Sequence, residues 1–390
     1  MAILSNRITK VTPSLTLSIT AQAKALKAQG INVISLSAGE PDFDTPDFIK
    51  EAAIEALRKG MTKYTPAEGT LELRTAIAQK LARDQNLTCQ PGQIIVSCGA
   101  KHSIFNLFQV LLNEGDEVLI PSPYWLSYPE MVILSGGRSV FLETDESTEF
   151  KITPSQLEKA ITPKTKILVL NSPSNPTGAV YRRSELESLA AVLLKHPNVW
   201  ILSDEIYEKL IFDGEKHFSI ASLHPEMAQR TLIVNGHSKA YAMTGWRIGY
   251  AASPREVAEA VSSFQSHTTS NPTSFAQAGA LAALQKGDPE AKRMCAIYQK
   301  RRDLFLSELK KIKKLKVFPP QGAFYVFVNI EASGLDSMRF TERLLEEARV
   351  AVVPGKVFGS DRHIRLSFAC SEEDLLESSR RLRDWLQKLP

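Results

Sequence analysis

A lysine and an arginine follow a strongly apolar run in the segment NGHSKAYAMTGWRIGY at 235–250. Lys239 comes shortly after the run TLIV at 231–234, next to Ser238, and Arg247 follows eight residues later. A lysine amine that has lost its proton attacks a carbonyl carbon, and desolvation or a nearby cation lowers its pKa. The segment therefore indicates imine chemistry at the lysine, with the arginine as the cation and as a phosphate ligand. An ordinary surface lysine and arginine are the alternative.

A carboxylate ends a second apolar run, VWILSDEIY at 199–207, where Asp204 closes the run and Tyr207 follows three residues later. A buried carboxylate needs a partner, and a protonated ring nitrogen is a suitable one. The alternative is that Asp204 is the N-cap of a helix. This stretch alone does not separate the two interpretations.

Three further turns carry polar, small or aromatic groups after apolar runs. Asn175 lies in the Asn-Pro turn of VLNSPSNPTGAVY, where its amide could donate to a ligand oxygen. Asn-Pro pairs also form ordinary turns that bind no ligand. In IIVSCGAKHSIFN, the amides of Gly99, Ala100 and Lys101 open a helix and form a potential anion site. Trp125 in PSPYWLSYPE can stack on an aromatic ring, or simply belong to the core.

Together these groups match the needs of one cofactor. Pyridoxal phosphate requires a lysine for its aldehyde, an acid for its ring nitrogen, donors for its ring oxygen, a stacking side chain and a phosphate site. The sequence thus predicts a pyridoxal phosphate enzyme.

Alternating strands and helices must position these turns. Short apolar runs alternate with helical patterns from about residue 94 to 250, which predicts an α/β fold with a doubly wound, mostly parallel sheet. In such sheets the ligand crevice lies at the carboxyl ends of the strands. We expect the candidate residues to meet there.

The chain is expected to form two domains. Residues 46–289 would form the large domain that binds the cofactor, and residues 290–390, with long charged helices, would form a smaller α+β domain. Residues 1–45 would be an N-terminal arm and a helix at 17–30 that join the small domain.

Composition excludes several other classes of protein. Lys plus Arg number 47 against 43 for Asp plus Glu, too small an excess for a nucleic-acid surface, and we expect no membrane partner. The four cysteines form no CxxC pair and the histidines form no HxxxH or HExxH pair, so we expect a reducing, cytoplasmic location and no metal. No GxGxxG or GxxxxGK[ST] nucleotide motif occurs.

The chain resembles, essentially from end to end, the fold-type I aminotransferases of class I. Within them it resembles the aspartate aminotransferase subgroup of many bacteria and plastids. The motifs SLSAGEPDFDTP, SPSNPTGAVY, SDEIYEKL and SKAYAMTGWRIGY carry the resemblance, and the last is highly specific.

The resemblance implies a role for each candidate. Lys239 would form the imine with pyridoxal phosphate and move the substrate proton, Asp204 would keep the ring nitrogen protonated, and Asn175 and Tyr207 would bind the ring oxygen. The phosphate would be bound by Gly99, Ala100, Lys101, Ser238 and Arg247. Tyr64 would reach the phosphate of a neighbouring subunit, which implies a homodimer with shared active sites.

The resemblance also implies how substrate binds. Arg365 in HIRLSF would take the α-carboxylate, assisted by the Gly39 amide, while Trp125 would stack on the cofactor ring and border the substrate together with Asn175. Amino acids and 2-oxo acids would be the substrates.

One departure from the wider family concerns the distal carboxylate. Animal-type and enterobacterial relatives bind it with an arginine from the segment matching QSHTTSNP at 265–272, which contains no arginine. In the subgroup, the lysine matching Lys101 does this, and the threonine matching Thr16 accompanies it in members that also accept prephenate. A phosphate-loop lysine or a solvated first-turn lysine is the alternative for Lys101.

The expected activity is reversible amino transfer between L-aspartate and 2-oxoglutarate, giving oxaloacetate and L-glutamate, with prephenate as a further acceptor. An aminotransferase for aromatic or alanine substrates, or a lyase or decarboxylase, would use the same fold. A regulator without turnover usually carries an added DNA-binding domain, for which the 38 residues before Gly39 offer no room. A nicotinamide dehydrogenase is disfavoured by the missing glycine motif.

Overall fold

The computed structural model describes residues 3–13 and 15–389, which form a seven-stranded sheet, a four-stranded sheet and a two-stranded pair. Within these residues the strands are β1 (Ile34–Ser35), β2 (Ile94–Ser97), β3 (Glu117–Ser122), β4 (Arg138–Glu143), β5 (Thr165–Asn171), β6 (Trp200–Asp204), β7 (Thr231–Gly236), β8 (Gly249–Ala252), β9 (Lys316–Val317), β10 (Tyr325–Asn329), β11 (Val350–Ala351), β12 (Val353–Pro354) and β13 (His363–Ser367).

The helices of the same residues are α1 (Leu15–Ala28), α2 (Asp47–Arg58), α3 (Leu71–Gln85), α4 (Ala100–Leu111), α5 (Ser127–Leu134), α6 (Pro154–Ala160), α7 (Arg183–Leu193), α8 (Pro225–Ala228), α9 (Arg255–Ser266), α10 (Ser274–Lys286), α11 (Asp288–Leu309), α12 (Ser337–Ala348) and α13 (Glu372–Leu386).

The large sheet has the strand order β2-β8-β7-β6-β5-β3-β4. Strands β3 to β7 run parallel to their neighbours among themselves, whereas β8 is antiparallel to both β2 and β7. The predicted mostly parallel sheet is therefore confirmed. Because β5, β6 and β7 are adjacent and parallel, their carboxyl ends open on the same edge of the sheet.

Both faces of this sheet are buried, as its apolar strands require. In β5, Ile167 and Val169 pack into the cluster that includes α4 and α9, whereas Leu168 and Leu170 pack against α6 and α7 on the other side. Successive side chains of a strand point to opposite faces, so a continuous apolar run serves both layers of helices.

The four-stranded sheet, in the order β12-β13-β10-β9, is antiparallel and packs against α11, α12 and α13. Strand β1 pairs in parallel with β11, and α1 packs through Ile19 and Ala23 against Leu345 and Ala351. The N-terminal segment thus lies against the smaller sheet unit.

Three details of the structure add to or differ from the sequence expectations. The edge strand β4 was not predicted, because its residues are mostly exposed or half-buried and form no continuous apolar run. The N-terminal helix spans Leu15–Ala28 instead of 17–30, and Gly30 follows it with a φ of 81°. The predicted boundary between 289 and 290 falls in the first turn of α11.

Truncating a side chain in the middle of the large sheet should destabilise the fold. Leu202 on β6 is 0% exposed and packs in the same cluster as Ile167 and Val234. Leu202→Ala should lower the free energy of unfolding by about 2–5 kcal/mol, measured by urea denaturation. Leu376→Ala, at a side chain that is 44% exposed, is the control and should change it by less than about 1 kcal/mol. Equal effects of the two substitutions would contradict this description of the core.

Candidate active site

A cavity of about 500 Å³ opens at the carboxyl ends of β5, β6 and β7 and reaches β13 of the smaller unit. We call it the central cavity. The structure brings these predicted site residues together in its lining: Thr16, Gly39, Ala100, Lys101, Trp125, Asn175, Asp204, Tyr207, Ser238, Lys239, Arg247 and Arg365. Gly99 lies directly against Arg247. Tyr64 does not line the cavity of this chain, and it is 88% exposed.

Asp204 forms the buried end of the cavity. The Tyr128 hydroxyl donates to its Oδ2 at 2.6 Å and the Ile206 amide donates to its Oδ1 at 3.2 Å. Burial raises the pKa of the carboxyl from 3.8 to about 6, although both hydrogen bonds oppose the shift. No helix follows directly in this described part of the chain, since residues 206–209 form turns, so the N-cap interpretation is wrong.

Lys239 follows β7 and its ammonium donates to the Gly39 carbonyl. Its Nζ lies 5.9 Å from the ring centroids of both Tyr207 and Phe324. Desolvation by these surroundings lowers the pKa of the amine from 10.5 to about 8. A minor but larger than usual fraction of the amine is therefore uncharged near neutral pH, and this is the form that reacts with carbonyl groups.

Charged neighbours modify this pKa in both directions. The carboxylates of Glu40 and Asp204 raise the pKa of Lys239, whereas the guanidinium groups of Arg365 and Arg247 lower it. Desolvation is the largest cause of the shift. The sequence analysis predicted Arg247 as the nearby cation but did not predict that Arg365 would also lower this pKa. The two acids keep the amine from losing its proton entirely.

Arg365 on β13 is 2% exposed and points its guanidinium into the cavity lining. Its Nη1 donates to Asn175 Oδ1 at 2.9 Å and its Nη2 donates to the Ser37 carbonyl at 2.9 Å. The guanidinium carbon lies 4.3 Å from the Tyr325 ring centroid, and Nε is buried without a hydrogen-bond partner among the described residues. A fixed, desolvated guanidinium is a strong site for a carboxylate.

Two tyrosines border the same region. The hydroxyl groups of Tyr207 and Tyr325 lie 2.8 Å apart, and both side chains are buried. Their hydrogen bond links the loop after β6 to β10 of the smaller unit. It therefore fixes the Tyr207 hydroxyl relative to Arg365.

The residues predicted to bind an anion meet at the start of α4. Gly99 has a φ of 90°, which favours glycine, and the Arg247 guanidinium packs so closely against it that a Cβ would lie 2.5 Å from Nη2. Arg247 is held by hydrogen bonds to the carbonyls of Thr244 at 2.9 Å and Cys98 at 3.2 Å. The amides of Ala100 and Lys101, the first two residues of α4, have no acceptor within the helix, as is usual at a helix N-terminus.

Lys101 and Thr16 lie where a second acidic group could bind. Lys101 Nζ is 4.9 Å from the Trp125 ring centroid, and partial burial together with Arg247 lowers the pKa of this amine. The Thr16 hydroxyl is buried, and no described residue hydrogen-bonds to it. Both polar groups line the cavity and are placed to form hydrogen bonds with a bound molecule.

Sequence reasoning missed Tyr128 and Tyr325, which hydrogen-bond to predicted site residues, and it did not name Glu40, which also lines the cavity. Tyr128 stands three residues after Trp125 in PSPYWLSYPE, a spacing that places both on one side of a helical turn. Tyr325 lies within the strand GAFYVFV, where an aromatic residue is also ordinary core. Only the first of these had a usable signal in the sequence.

A second group of polar residues lies outside the cavity and is called here the Glu205 cluster. It contains Glu205, Glu208, His217, Lys80 and Gln85. Ligand atoms of the two glutamates and the histidine lie within 4.8 Å of one another, but the Lys80 ammonium already binds the Glu208 carboxylate. Burial would raise the pKa of Glu205, yet His217 and two serine hydroxyls hold it at about 2.

Comparison with known proteins identifies the family. The family model described as "Aminotransferase class I and II" matches residues 31–382. The chain belongs to this family. The predicted resemblance is thus confirmed over most of the length of this aminotransferase.

Named relatives and solved structures match this aminotransferase over nearly its whole length. It is 50% identical over 389 residues to a protein named aspartate aminotransferase from Geobacillus stearothermophilus, covering 98% of this chain and 99% of the relative. It is 47% identical to a probable aspartate/prephenate aminotransferase from Rickettsia bellii, covering 98% of each chain.

A structure of the aspartate aminotransferase from Thermus thermophilus with maleate superposes with a TM-score of 0.95 at 46% identity, covering 98% of this chain and 100% of that one. The aspartate aminotransferase from Rhizobium meliloti gives a TM-score of 0.96 at 43% identity, with both chains fully covered. The predicted fold-type I architecture is confirmed. Among the residues that the structure describes, no helix has the length and apolar character to span a membrane.

The lowered pKa of Lys239 should be measurable without cofactor. Reductive methylation of the apoprotein should label Lys239 half-maximally near the pKa of about 8, because the ammonium form does not react below it. Exposed lysines should reach half-maximal labelling only at a pH of about 10.4. Peptide mapping by mass spectrometry over a pH series gives both curves. A Lys239 curve that coincides with the exposed lysines would contradict the desolvated site.

Proposed function

We propose that this chain is a pyridoxal phosphate-dependent aspartate aminotransferase. It would transfer the amino group of L-aspartate to 2-oxoglutarate and release oxaloacetate and L-glutamate. One observation carries the proposal: the desolvated amine of Lys239 and the buried carboxylate of Asp204 line one cavity together with the Arg247 guanidinium. The names of the relatives support the choice of substrates.

The residues around the cavity fit this cofactor. The start of α4 suits a phosphate, because the Arg247 guanidinium packs directly against Gly99 and brings a positive charge next to the first amides of the helix. The residues that would hold the phosphate are Gly99, Ala100, Lys101, Ser238 and Arg247.

Other residues would hold the ring of the cofactor. Asp204, kept in place by the Tyr128 hydroxyl, would bind a protonated ring nitrogen, which in turn would favour the charged form of this carboxyl. The Asn175 amide and the Tyr207 hydroxyl would donate to the ring oxygen. Trp125 would lie against the ring.

Pyridoxal phosphate, when bound, supplies an aldehyde for the amino group and an electron sink for the carbanion at the substrate Cα. The Lys239 amine would carry the aldehyde before substrate arrives and would afterwards accept the proton from the substrate Cα. That second task requires the uncharged amine, and a pKa of about 8 keeps a useful fraction of it uncharged near neutral pH.

Arg365 would bind the α-carboxylate of the substrate, because its guanidinium lines the cavity and is fixed by hydrogen bonds to Asn175 and Ser37. The Gly39 amide would assist it. Lys101 would bind the distal carboxylate of a dicarboxylic substrate. The hydrophobic and aromatic surroundings exclude water and strengthen these contacts.

Prephenate is a second candidate acceptor. The buried Thr16 hydroxyl, which lacks a partner among the described residues, lines the cavity together with Lys101. A relative from Rickettsia bellii carries the name probable aspartate/prephenate aminotransferase. An assay with L-aspartate as the amino donor and prephenate, in place of 2-oxoglutarate, as the acceptor tests this activity.

The assembly, the domain limits and the location belong to the same proposal. Tyr64, 88% exposed in one chain, would reach the phosphate of a second copy in a homodimer. The large domain would span residues 46–289, residues 290–390 would form the small domain, and residues 1–45 would join the latter. The four cysteines are free thiols, which is typical of the cytoplasm.

Removing the Lys239 amine should abolish turnover while cofactor binding survives. Lys239→Ala should lower the rate of oxaloacetate formation by roughly 10²–10⁴-fold or more, since the proton acceptor is lost. Borohydride treatment of the wild-type holoenzyme should fix the cofactor to the peptide that contains Lys239, as seen by peptide mapping. Substantial steady-state activity of the variant, or a label on another lysine, would refute the proposal.

Removing the Lys101 amine should weaken the use of dicarboxylic substrates selectively. Lys101→Ala should raise the KM for aspartate by about tenfold, because a charge-assisted contact is lost, with little change for alanine or an aromatic amino acid. Half-reactions with each donor measure this. Lys313→Ala, at an exposed lysine outside the cavity, is the control. Equal losses for all donors would favour a role in phosphate binding alone.

A further inference from the structure

The charges around the central cavity are unevenly distributed. Its described lining contains the cations Lys101, Lys239, Arg247 and Arg365 but, as carboxylates, only Asp204 and Glu40. Asp204 is buried, and its two oxygens already accept hydrogen bonds from Tyr128 and Ile206. Glu40 is exposed, so its carboxylate is the one that an entering molecule meets.

The position of Glu40 is fixed from two sides. It directly follows Gly39, whose carbonyl accepts the hydrogen bond from Lys239 Nζ. Its Oε2 accepts a hydrogen bond from the Thr244 hydroxyl at 3.1 Å, and the Thr244 carbonyl in turn binds Arg247. Glu40 thus follows the residue that Lys239 contacts and is hydrogen-bonded to the residue that contacts Arg247.

The charge of Glu40 acts at the position that the amino group of a bound substrate would occupy. Among the acids that raise the pKa of Lys239, Glu40 has the largest effect, ahead of Asp204. The amino group of an incoming substrate must approach the position of Lys239 Nζ to replace it. An ammonium there would lie in the field of the Glu40 carboxylate.

The proposed substrates differ in one charge. Aspartate and glutamate carry two carboxylates and one ammonium, whereas oxaloacetate and 2-oxoglutarate carry the same carboxylates and no ammonium. Arg365 and Lys101 account for the carboxylates in the proposed function, on which this inference rests. We propose that Glu40 binds the α-ammonium of the amino donor and thereby favours amino acids over 2-oxo acids at the entrance of the cavity.

Half-reactions of the holoenzyme in both directions test this role. Glu40→Gln keeps the shape of the side chain and an acceptor for Thr244 but removes the charge. It should raise the half-saturating concentration of aspartate and of glutamate by about five- to tenfold, as expected for a lost charge-assisted contact. The values for oxaloacetate and 2-oxoglutarate should stay within about twofold, because the contact is absent there.

Two controls separate this role from a structural one. Glu256→Gln removes the same charge at an exposed residue outside the cavity lining and should change neither class of substrate. Inhibition by maleate, a dicarboxylate without an ammonium, should be unchanged in Glu40→Gln. Equal changes for amino acids and 2-oxo acids, or no change for amino acids, would overturn the inference.

Failure of this inference is distinguishable from failure of the proposed function. The wild-type half-reactions with aspartate and 2-oxoglutarate report on the proposed function by themselves. The ratio between variant and wild type, compared across the two substrate classes, reports on Glu40.

Discussion

The site depends on holding an amine and a carboxylate together where water solvates neither well. Desolvation raises the pKa of Asp204 to about 6 and lowers that of Lys239 to about 8, so each group is driven toward its neutral form. Neighbouring groups limit both shifts, since the Tyr128 hydroxyl stabilises the charged carboxylate and the Glu40 charge stabilises the ammonium. The balance leaves both groups able to change protonation near neutral pH.

The fold supplies this arrangement from distant parts of the chain. Asp204 ends β6 and Lys239 follows the parallel strand β7, so both lie at one edge of the large sheet. Arg365 lies on β13 of the smaller sheet and lines the same cavity. The Tyr207–Tyr325 and Arg365–Asn175 hydrogen bonds join the two units across the cavity. Substrate binding and proton transfer therefore depend on how the two sheets sit against each other.

Strand ends could be predicted from the sequence because apolar runs and the turns that follow them are local patterns. The polar contacts that tune the site could not, because they join residues far apart: Tyr128 meets Asp204 across 76 residues of chain, and Tyr207 meets Tyr325 across 118. The edge strand β4 lacks the apolar run that marked its neighbours. Arg365 was predicted from the family resemblance alone. Its partners Asn175 and Ser37 are 190 and 328 residues away in the chain, so no local spacing indicates these contacts.

The alternation of side chains along β6 separates two acids that are adjacent in sequence. Ser203 and Glu205 point to one side, where the Ser203 hydroxyl donates to Glu205, while Asp204 points to the other side, into the cavity. Inserting or deleting a single residue in this strand would exchange the two carboxylates, since side chains alternate with a period of two. The acid that reached the cavity would then have lost its ion pair with His217 and its hydrogen bond from Ser203. Changes of length within β6 are thus far less tolerable than substitutions.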